Sequence, residues 1–504
     1  WSSEALATCR ISDDAKRLNE AGESSKEVSL RLRQVGDLLF SGRIGIAIFT
    51  WLCIVAIFIL IRLLWGAEMG IAGLVLVGLS PFYLAHSRFL HVDAVLTSLM
   101  TVSVLCLLAA VRRGNPGRRT LLLVLSGAAG GLAAVQKSPA LFLGAFTGLV
   151  LVIDALRRDG VRGRALRTVR DLALWGGMAG FIFVAAWPAM WVAPVETVQG
   201  VLQQAVGYAE EGHTPGNYFM GRPVLDPGWA FYPLAVLFRV HPLTVVGLLA
   251  TIGWWVRGKK RSGERFGFLM LMLYSALFGL FMSLGAKKFD RYVLPVFPSL
   301  EIGAAFGLVW LLNITRDGAE RRIKGWIAPV SSLAAIALSV GLILPHRPHY
   351  LTYYNPLMGG IQRVQDVLLL GWGEGYEEIV SYLNAKPNAE QLQVAVSRFS
   401  GFAPVFRGEP RSMRTYSVWE TDYVVIYVGQ VQRRRYEWLL EEYFYNPDAE
   451  PEHVVNLHGV DYAWIYPNEH YLDPIEHLNQ VGQLDAQDCL LVNGNSLLAE
   501  HYQG

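Results

Sequence analysis

Ten apolar stretches punctuate the first two thirds of the chain, at 43–64, 69–85, 94–111, 120–135, 138–156, 172–191, 242–256, 266–284, 292–312 and 326–344. Each approaches the ~20 residues that a helix needs to cross the hydrocarbon core of a bilayer, and the shorter ones suffice where their ends lie in the interface. The pattern predicts an α-helical polytopic membrane protein with about ten transmembrane helices. After residue 345 the pattern changes. Pro345, Pro348 and Pro356, with Tyr350, Tyr353 and Tyr354, make an aromatic, proline-broken exit of the kind found at a membrane interface. An amphipathic helix over 376–383 follows, then β-rich runs at 392–396, 423–428 and 462–466, with a charged helix over 432–445. The chain thus divides into a leading segment (1–42), a membrane domain (43–345) and a C-terminal α/β domain (346–504).

The polar connections alternate in character. Arg112 and Arg113 with Arg118 and Arg119, then 157–170, 257–265 and 316–324, are rich in arginine and lysine. The positive-inside rule assigns these to the cytoplasm, and the turn 65–68 joins them by parity. The loops at 86–93, 136–137, 192–241 and 285–291, and everything after residue 346, then face outward. The expectation is a multi-pass plasma-membrane protein whose chemical face and C-terminal domain are extracytoplasmic. By the same parity the polar leading segment is external, which implies either an unusual leader that exports it or, the preferred expectation, a further membrane helix ahead of Trp1.

A hydrophobic fraction of 53% with 17% charged residues suits a chain that is part membrane helix and part water-facing domain. The net charge of +2 carries no nucleic-acid reading, because the basic residues gather in turns where anionic lipid headgroups explain them. Cys9, Cys53, Cys106 and Cys489 have neither metal spacing nor the pattern of a disulfide framework. There is no nucleotide-type phosphate loop and no zinc-spaced His/Cys cluster, which argues against a cytoplasmic ATP-driven machine; no cofactor is expected, and no metal ligands are assigned, metal dependence being left open. Gly127 and Gly131 form a small-xxx-small pair, which predicts a close helix contact.

The outward loops carry the chemistry. The segment 80–96 places His86, Arg88, His91 and Asp93 between two membrane helices. The histidines read equally as interfacial groups, whereas Arg88 and Asp93 read as a pair facing a cavity or a partner. Lys287, Lys288 and Arg291 put three cations within five residues on the side where positive charge is otherwise avoided. An anionic ligand explains them, phosphate above all; the plainer alternative is a headgroup anchor. Lys137, at another outer helix junction, fits the same pocket. The aromatic segment 208–233 reads as a substrate-covering loop. Glu301, inside an apolar stretch, is a further candidate, either for a site or as a protonated or paired acid.

Ser-Arg-Phe-Leu-His-Val-Asp-Ala-Val-Leu at 87–96, Gln-Lys-Ser-Pro-Ala-Leu at 136–141, the Asn-Tyr-Phe-Met-Gly run with its later Asp-Pro-Gly, and Lys-Lys-Phe-Asp-Arg-Tyr-Val-Leu-Pro at 287–295 occur in this order. Together they resemble the phospholipid carrier-dependent glycosyltransferases of family 39, relatives of the protein O-mannosyltransferases and of the lipid A aminoarabinose transferase. Tyr-Tyr-Asn-Pro-Leu-Met-Gly-Gly at 353–360 and Gly-Trp-Gly-Glu-Gly at 371–375 look like a bacterial branch of that group. The resemblance implies a GT-C membrane fold. It also implies inverting transfer of a sugar from a polyprenyl-phosphate donor to an extracytoplasmic protein, lipid or glycan.

A departing lipid phosphate needs fixed cations, for which Lys288 and Arg291 are the first candidates, with Lys287 beside them. Arg88 and Lys137 complete the expected pocket, Tyr292, His86 and His91 line it, and Asp93 supports catalysis by orienting the acceptor or Arg88. The family's principal acid, in its first outer loop, has no counterpart motif in this sequence. Asp13, Asp14 and Glu23 stand in the leading segment without it and inherit no role, so this chain alone is expected to hold donor without the family's base. The rival readings are a lipid-linked sugar flippase, which internal repeats and midplane polar residues would favour, and a noncatalytic membrane scaffold with an outer binding domain.

Overall fold

The structure, a computed structural model, describes residues 36–112, 115–158, 161–210, 216–258, 262–320, 323–413, 418 and 421–468. Asp13, Asp14, Glu23, His213, Cys9, Cys489 and several loop cations lie outside the described residues. The chain forms two compact units, one of Arg43–Asn217 with Val224–Val364, the other including Tyr218–Pro223 and the residues from Gln365 onward.

In the first unit the apolar stretches are helices: α1 (Gly36–Trp65), α2 (Ala67–Gly78), α3 (Pro81–Ser87), α4 (Val92–Ala110), α5 (Pro116–Gln136), α6 (Phe142–Arg158) and α7 (Val161–Ala186). They continue through α8 (Pro194–Glu210), α9 (Phe231–Arg239), α10 (Pro242–Arg257), α11 (Ser262–Ser283), α12 (Phe297–Gly318) and α13 (Lys324–Ile343). Eight spans are long and apolar enough to cross a membrane, or 10 if the bent pairs α2 with α3 (64°) and α9 with α10 (109°) each count as one. This is a multi-pass membrane protein, and the eight spans and two bent pairs fall one for one on the ten apolar stretches.

Both breaks come at a proline in the first helical position, Pro81 and Pro242. Proline lacks the N–H that would continue the preceding helix and is preset to begin a new one. His241 caps the second restart, its Nδ1 accepting from the Leu243 N–H at 3.1 Å. The segment 192–241, expected to be a loop, is therefore mostly ordered structure: α8, a hairpin of β1 (Asn217–Phe219) and β2 (Arg222–Val224), and α9, which buries Phe231, Tyr232, Ala235 and Phe238.

Gly127 and Gly131 do make the close contact that their spacing predicts. A Cβ at Gly127 would lie 2.4 Å from the Trp175 carbonyl oxygen, and one at Gly131 2.4 Å from that of Ala179, so α5 and α7 touch backbone to backbone. The Trp175 indole N–H donates to Ser126 Oγ at 3.0 Å, and Ser103 Oγ donates to the Ser126 carbonyl at 2.8 Å. At the arginine-bearing end Arg119 lies between Asp154 (2.9 Å) and Asp171 (2.8 Å). That clamp explains an aspartate in the apolar stretch of α6 without a catalytic role.

The second unit is a five-stranded sheet in the order β4 (Glu409–Ser412), β3 (Gln393–Val396), β5 (Tyr423–Tyr427), β7 (Val460–Pro467), β6 (His453–Leu457). β4, β3 and β5 run parallel, whereas β7 pairs antiparallel with β5 and β6. Val394, Ala395 and Val396 are consecutive and all buried, as are Val424, Val425 and Ile426, so both faces of these strands are covered. Helix α14 (Tyr376–Asn384) precedes β3. The single helix expected over 432–445 is instead α15 (Val428–Arg433), a short turn Glu437–Leu439 and a π turn Leu440–Phe444. Arg434, with φ of 51°, adopts the left-handed conformation that ends a helix, and Tyr436, with φ of 57°, repeats it just ahead of the turn Glu437–Leu439.

Candidate functional site

His91 caps the N-terminus of α4. Its Nδ1 accepts the Asp93 N–H at 3.3 Å and lies 3.1 Å from Asp93 Oδ2. Asp93 follows in the first turn, where the helix dipole favours an acid, and it is only 2% exposed. Lys137 ends α5 in an extended conformation and sends Nζ to Asp93 Oδ1 at 2.9 Å, over the Tyr292 ring at 4.2 Å from its centre. Arg291 belongs to the 3-10 segment Asp290–Val296 ahead of α12, with Nε 3.5 Å from Asp93 Oδ2. Its guanidinium lies 4.9 Å from the Phe289 ring centre and 5.3 Å from that of Tyr292. Three segments distant in sequence thus meet on one carboxylate.

Burial lowers the Lys137 ammonium pKa from its ordinary value, Asp93 opposes that, and the positive charges of Arg291 and Lys287 reinforce it. At Lys137 the charges of Arg291 and Lys287 thus add to its own, with Asp93 opposing them. An additional anion would relieve their mutual repulsion, and guanidinium and ammonium groups are suited to phosphate oxygens.

A second residue fixes Arg291 from behind. Arg239, 5% exposed at the end of α9, donates from Nε to Asp290 Oδ2 at 2.9 Å. It also reaches the Leu351 carbonyl (2.7 Å), the Tyr353 carbonyl (3.1 Å) and the Tyr354 hydroxyl (2.8 Å). Its guanidinium lies over the rings of Phe82 (4.6 Å) and Tyr354 (3.8 Å). The other Asp290 oxygen accepts the Arg291 N–H at 2.8 Å. Sequence reasoning named neither Arg239 nor Asp290 as a site residue. The available signal was an arginine ending an apolar run just ahead of His-Pro.

Of the expected site residues, Asp93, His91, Lys137, Arg291 and Tyr292 converge. Lys288 is engaged elsewhere: it is 2% exposed, its Nζ donates to Asp226 Oδ1 at 2.6 Å, and its carbonyl accepts from Asn217 Nδ2 at 2.5 Å. Lys287 is the lysine whose charge acts on Lys137. Arg88 does not pair with Asp93, because Lys137 and Arg291 occupy its oxygens; the Arg88 guanidinium sits instead over the Tyr350 ring at 4.8 Å. His86 is 1% exposed and meets Phe82 edge-on at 4.8 Å, as a packed core group does. Glu301 is equally buried, beside the Ser80 hydroxyl at the α2–α3 break.

The family model described as dolichyl-phosphate-mannose-protein mannosyltransferase matches residues 28–187, the stretch that carries His91, Asp93 and Lys137. The chain thus resembles a mannosyltransferase family there, as its motifs indicate. No curated protein matches the chain. Among solved structures, ArnT from Cupriavidus metallidurans bound to undecaprenyl phosphate aligns at 14% identity and a TM-score of 0.42, over 87% of this chain and 87% of that one. Apo ArnT from the same organism aligns at 16% and 0.39, over 84% and 83%. The apo oligosaccharyltransferase of Archaeoglobus fulgidus aligns at 12% and 0.39, over 77% of this chain and 59% of its own.

Proposed function

We propose that this protein is a membrane glycosyltransferase of the GT-C type, transferring a sugar from a polyprenyl-phosphate-linked donor to an acceptor on the extracytoplasmic side of the plasma membrane. The observation that carries the reading is the pairing of Lys137 and Arg291 on Asp93, with the charge of Lys287 also acting on Lys137. They stand at helix junctions that alternate with the arginine-rich connections, so the positive-inside rule puts them on the outer face. In such a transfer the acceptor hydroxyl forms a bond to the anomeric carbon and gives up its proton, to water or to the departing phosphate, while the bond from that carbon to the phosphate oxygen breaks. The electron pair leaves with the lipid phosphate, where fixed cations stabilise the developing charge. Asp93 has Lys137 on one oxygen and His91 and Arg291 against the other, which suits holding those cations in place better than taking a proton. The family match over 28–187 supports the same reaction class.

The test is turnover by the purified chain in nanodiscs, with a panel of polyprenyl-phosphate-linked hexoses and pentoses and with protein, lipid and glycan acceptors. Release of free polyprenyl phosphate is the readout. Arg291→Met should lower kcat/KM about 100-fold or more, the usual cost of losing one transition-state charge donor. Movement of intact donor across the bilayer without cleavage would replace this reading with the transporter.

A further inference from the structure

Helix α8 runs for 17 residues, and none of its described side chains is buried. Val195, Val198 and Leu202 are all exposed, and their spacing by three and four places them in one stripe along the helix. Glu196, Gln199, Gly200 and Gln203, also exposed, fall beside and opposite that stripe on the helical period. A helix of this length is marginal in water without tertiary packing, and Gly200 and Gly207 weaken it further. Its stability calls for something that covers the apolar stripe.

The start of α8 is tied to the end of a membrane span. Helix α7 is long and apolar enough to cross a bilayer over Ala165–Ala186. Beyond it Trp187 meets Phe183 edge-on at 5.2 Å, and the Trp191 indole N–H donates to the Val184 carbonyl at 2.7 Å. One helical turn, Ala189–Val192, leads from there into α8, and Trp191 and Val192 are both exposed. Tryptophan gathers where hydrocarbon meets headgroups, since its ring is apolar and its N–H is polar. The stripe of α8 therefore begins at the membrane surface.

Sunk in the hydrocarbon, α8 would carry Glu196 and its glutamines into apolar surroundings at a high cost. Raised into water, it would leave the stripe wet. Only along the interface are both faces matched. There is no lysine, arginine or histidine between Trp187 and Glu210, so anionic headgroups do not hold the segment. We infer that α8 lies flat on the outer leaflet of the bilayer, with Trp191, Val195, Val198 and Leu202 among the acyl chains and its acidic and amide face toward water. Zwitterionic lipid is the partner, bound by apolar burial. The choice of leaflet rests on the sidedness in the proposed function; the docking itself does not.

The experiment places single spin-labelled cysteines along 195–203 of the full chain, its four native cysteines replaced by alanine, in phosphatidylcholine nanodiscs. Oxygen, which partitions into hydrocarbon, should reach the labels at Val195→Cys, Val198→Cys and Leu202→Cys better than a water-soluble nickel chelate does. The order should reverse at Glu196→Cys, Gln199→Cys and Gly200→Cys, giving a period of about 3.6 residues. At Gly200 an added Cβ meets nothing within 4 Å. Hydrogen exchange gives a second reading with the native cysteines in place. The 195–203 amides should exchange about tenfold faster or more in Val198→Glu with Leu202→Glu, which loses two aliphatic burials, while 165–186 stays unchanged. Equal nickel access at every position would overturn the docking. So would a stripe shut off from both reagents, the mark of a protein partner or a second copy, or exchange unmoved by the double variant, or an oxygen preference that appears only in phosphatidylglycerol. In intact cells a membrane-impermeant thiol reagent should label Gly200→Cys. A protected Gly200→Cys with the period intact would overturn the outer leaflet, and the proposed sidedness with it, while the docking stands.

Discussion

Lys137 reaches Asp93 across 44 residues of sequence, Nζ to Oδ1 at 2.9 Å, with the Asp93 side chain almost wholly buried and the lysine side chain still 27% exposed. Removing one member of a buried pair leaves an uncompensated charge, whereas removing both does not. Asp93→Asn should therefore cost about 3 kcal/mol, at the low end of the usual range because Lys137 keeps some water. Asp93→Asn with Lys137→Met should recover part of that loss. A double-mutant cycle on unfolding temperature measures the coupling, and strictly additive single effects would show the pair to be energetically silent.

Arg239 should be the costliest single truncation in the membrane unit. Arg239→Met strands Asp290, two backbone carbonyls and a phenol, for a loss of about 3–5 kcal/mol. Arg239→Lys should rescue little, since one ammonium cannot span acceptors arranged around a planar fork. Equal unfolding temperatures for the lysine variant and the wild type would contradict the geometry.

The α5–α7 contact predicts a sharp position dependence. Gly127→Val and Gly131→Val drive a side chain into a carbonyl oxygen 2.4 Å away and should each destabilise by about 2 kcal/mol or more. At Gly180, also in α7, a Cβ meets nothing within 4 Å, and Gly180→Ala should be neutral or slightly stabilising. Comparable losses at all three positions would remove the basis for a specific close approach.

The second unit should show a pH plateau set by Lys386 and Glu452. Burial would lower the Lys386 pKa, but hydrogen bonds with Glu452, Tyr423 and Tyr382 raise it overall. Burial would raise the Glu452 pKa, but the hydrogen bonds from Lys386, Tyr382 and Tyr423 lower it overall. The Glu452 contribution is complete above the ordinary carboxylate range, ~4.3, and is lost as pH falls through its depressed value. The Lys386 contribution is complete below ~10.4 and is lost as pH rises through its elevated value. Melts of Glu452→Gln across this range should be lower on the plateau and flatter at both ends; an unchanged acid limb would refute the pairing.

The sequence revealed whatever was periodic or local. All ten spans were readable because a bilayer demands length and apolarity that no other environment does, and the α5–α7 contact was readable because two glycines four apart expose backbone. The α2–α3 break was signalled by Ser-Pro but hidden by continuous hydrophobicity on both sides, whereas at His-Pro the apolar stretch begins at Pro242 as the helix does, and α9 ahead of it was masked by Pro233 and Arg239. The choice between Lys287 and Lys288 could not be made from their adjacency, because it depends on Asp226, 62 residues away. Arg239 has partners 112 to 115 residues downstream, which no local pattern encodes. β4 escaped because Glu-Pro-Arg-Ser reads as a turn; proline is tolerated there since the strand lies at the sheet edge.

The Arg239 fork also limits how the membrane unit can deform. One planar group holds Asp290, which precedes Arg291, and the turn at 351–354, which follows the last membrane helix. A hydrogen bond tolerates a few tenths of an ångström before it weakens. Displacement at either end must therefore be shared by the other or break a buried charge contact, so the two behave as one mechanical lever with its fulcrum at Arg239.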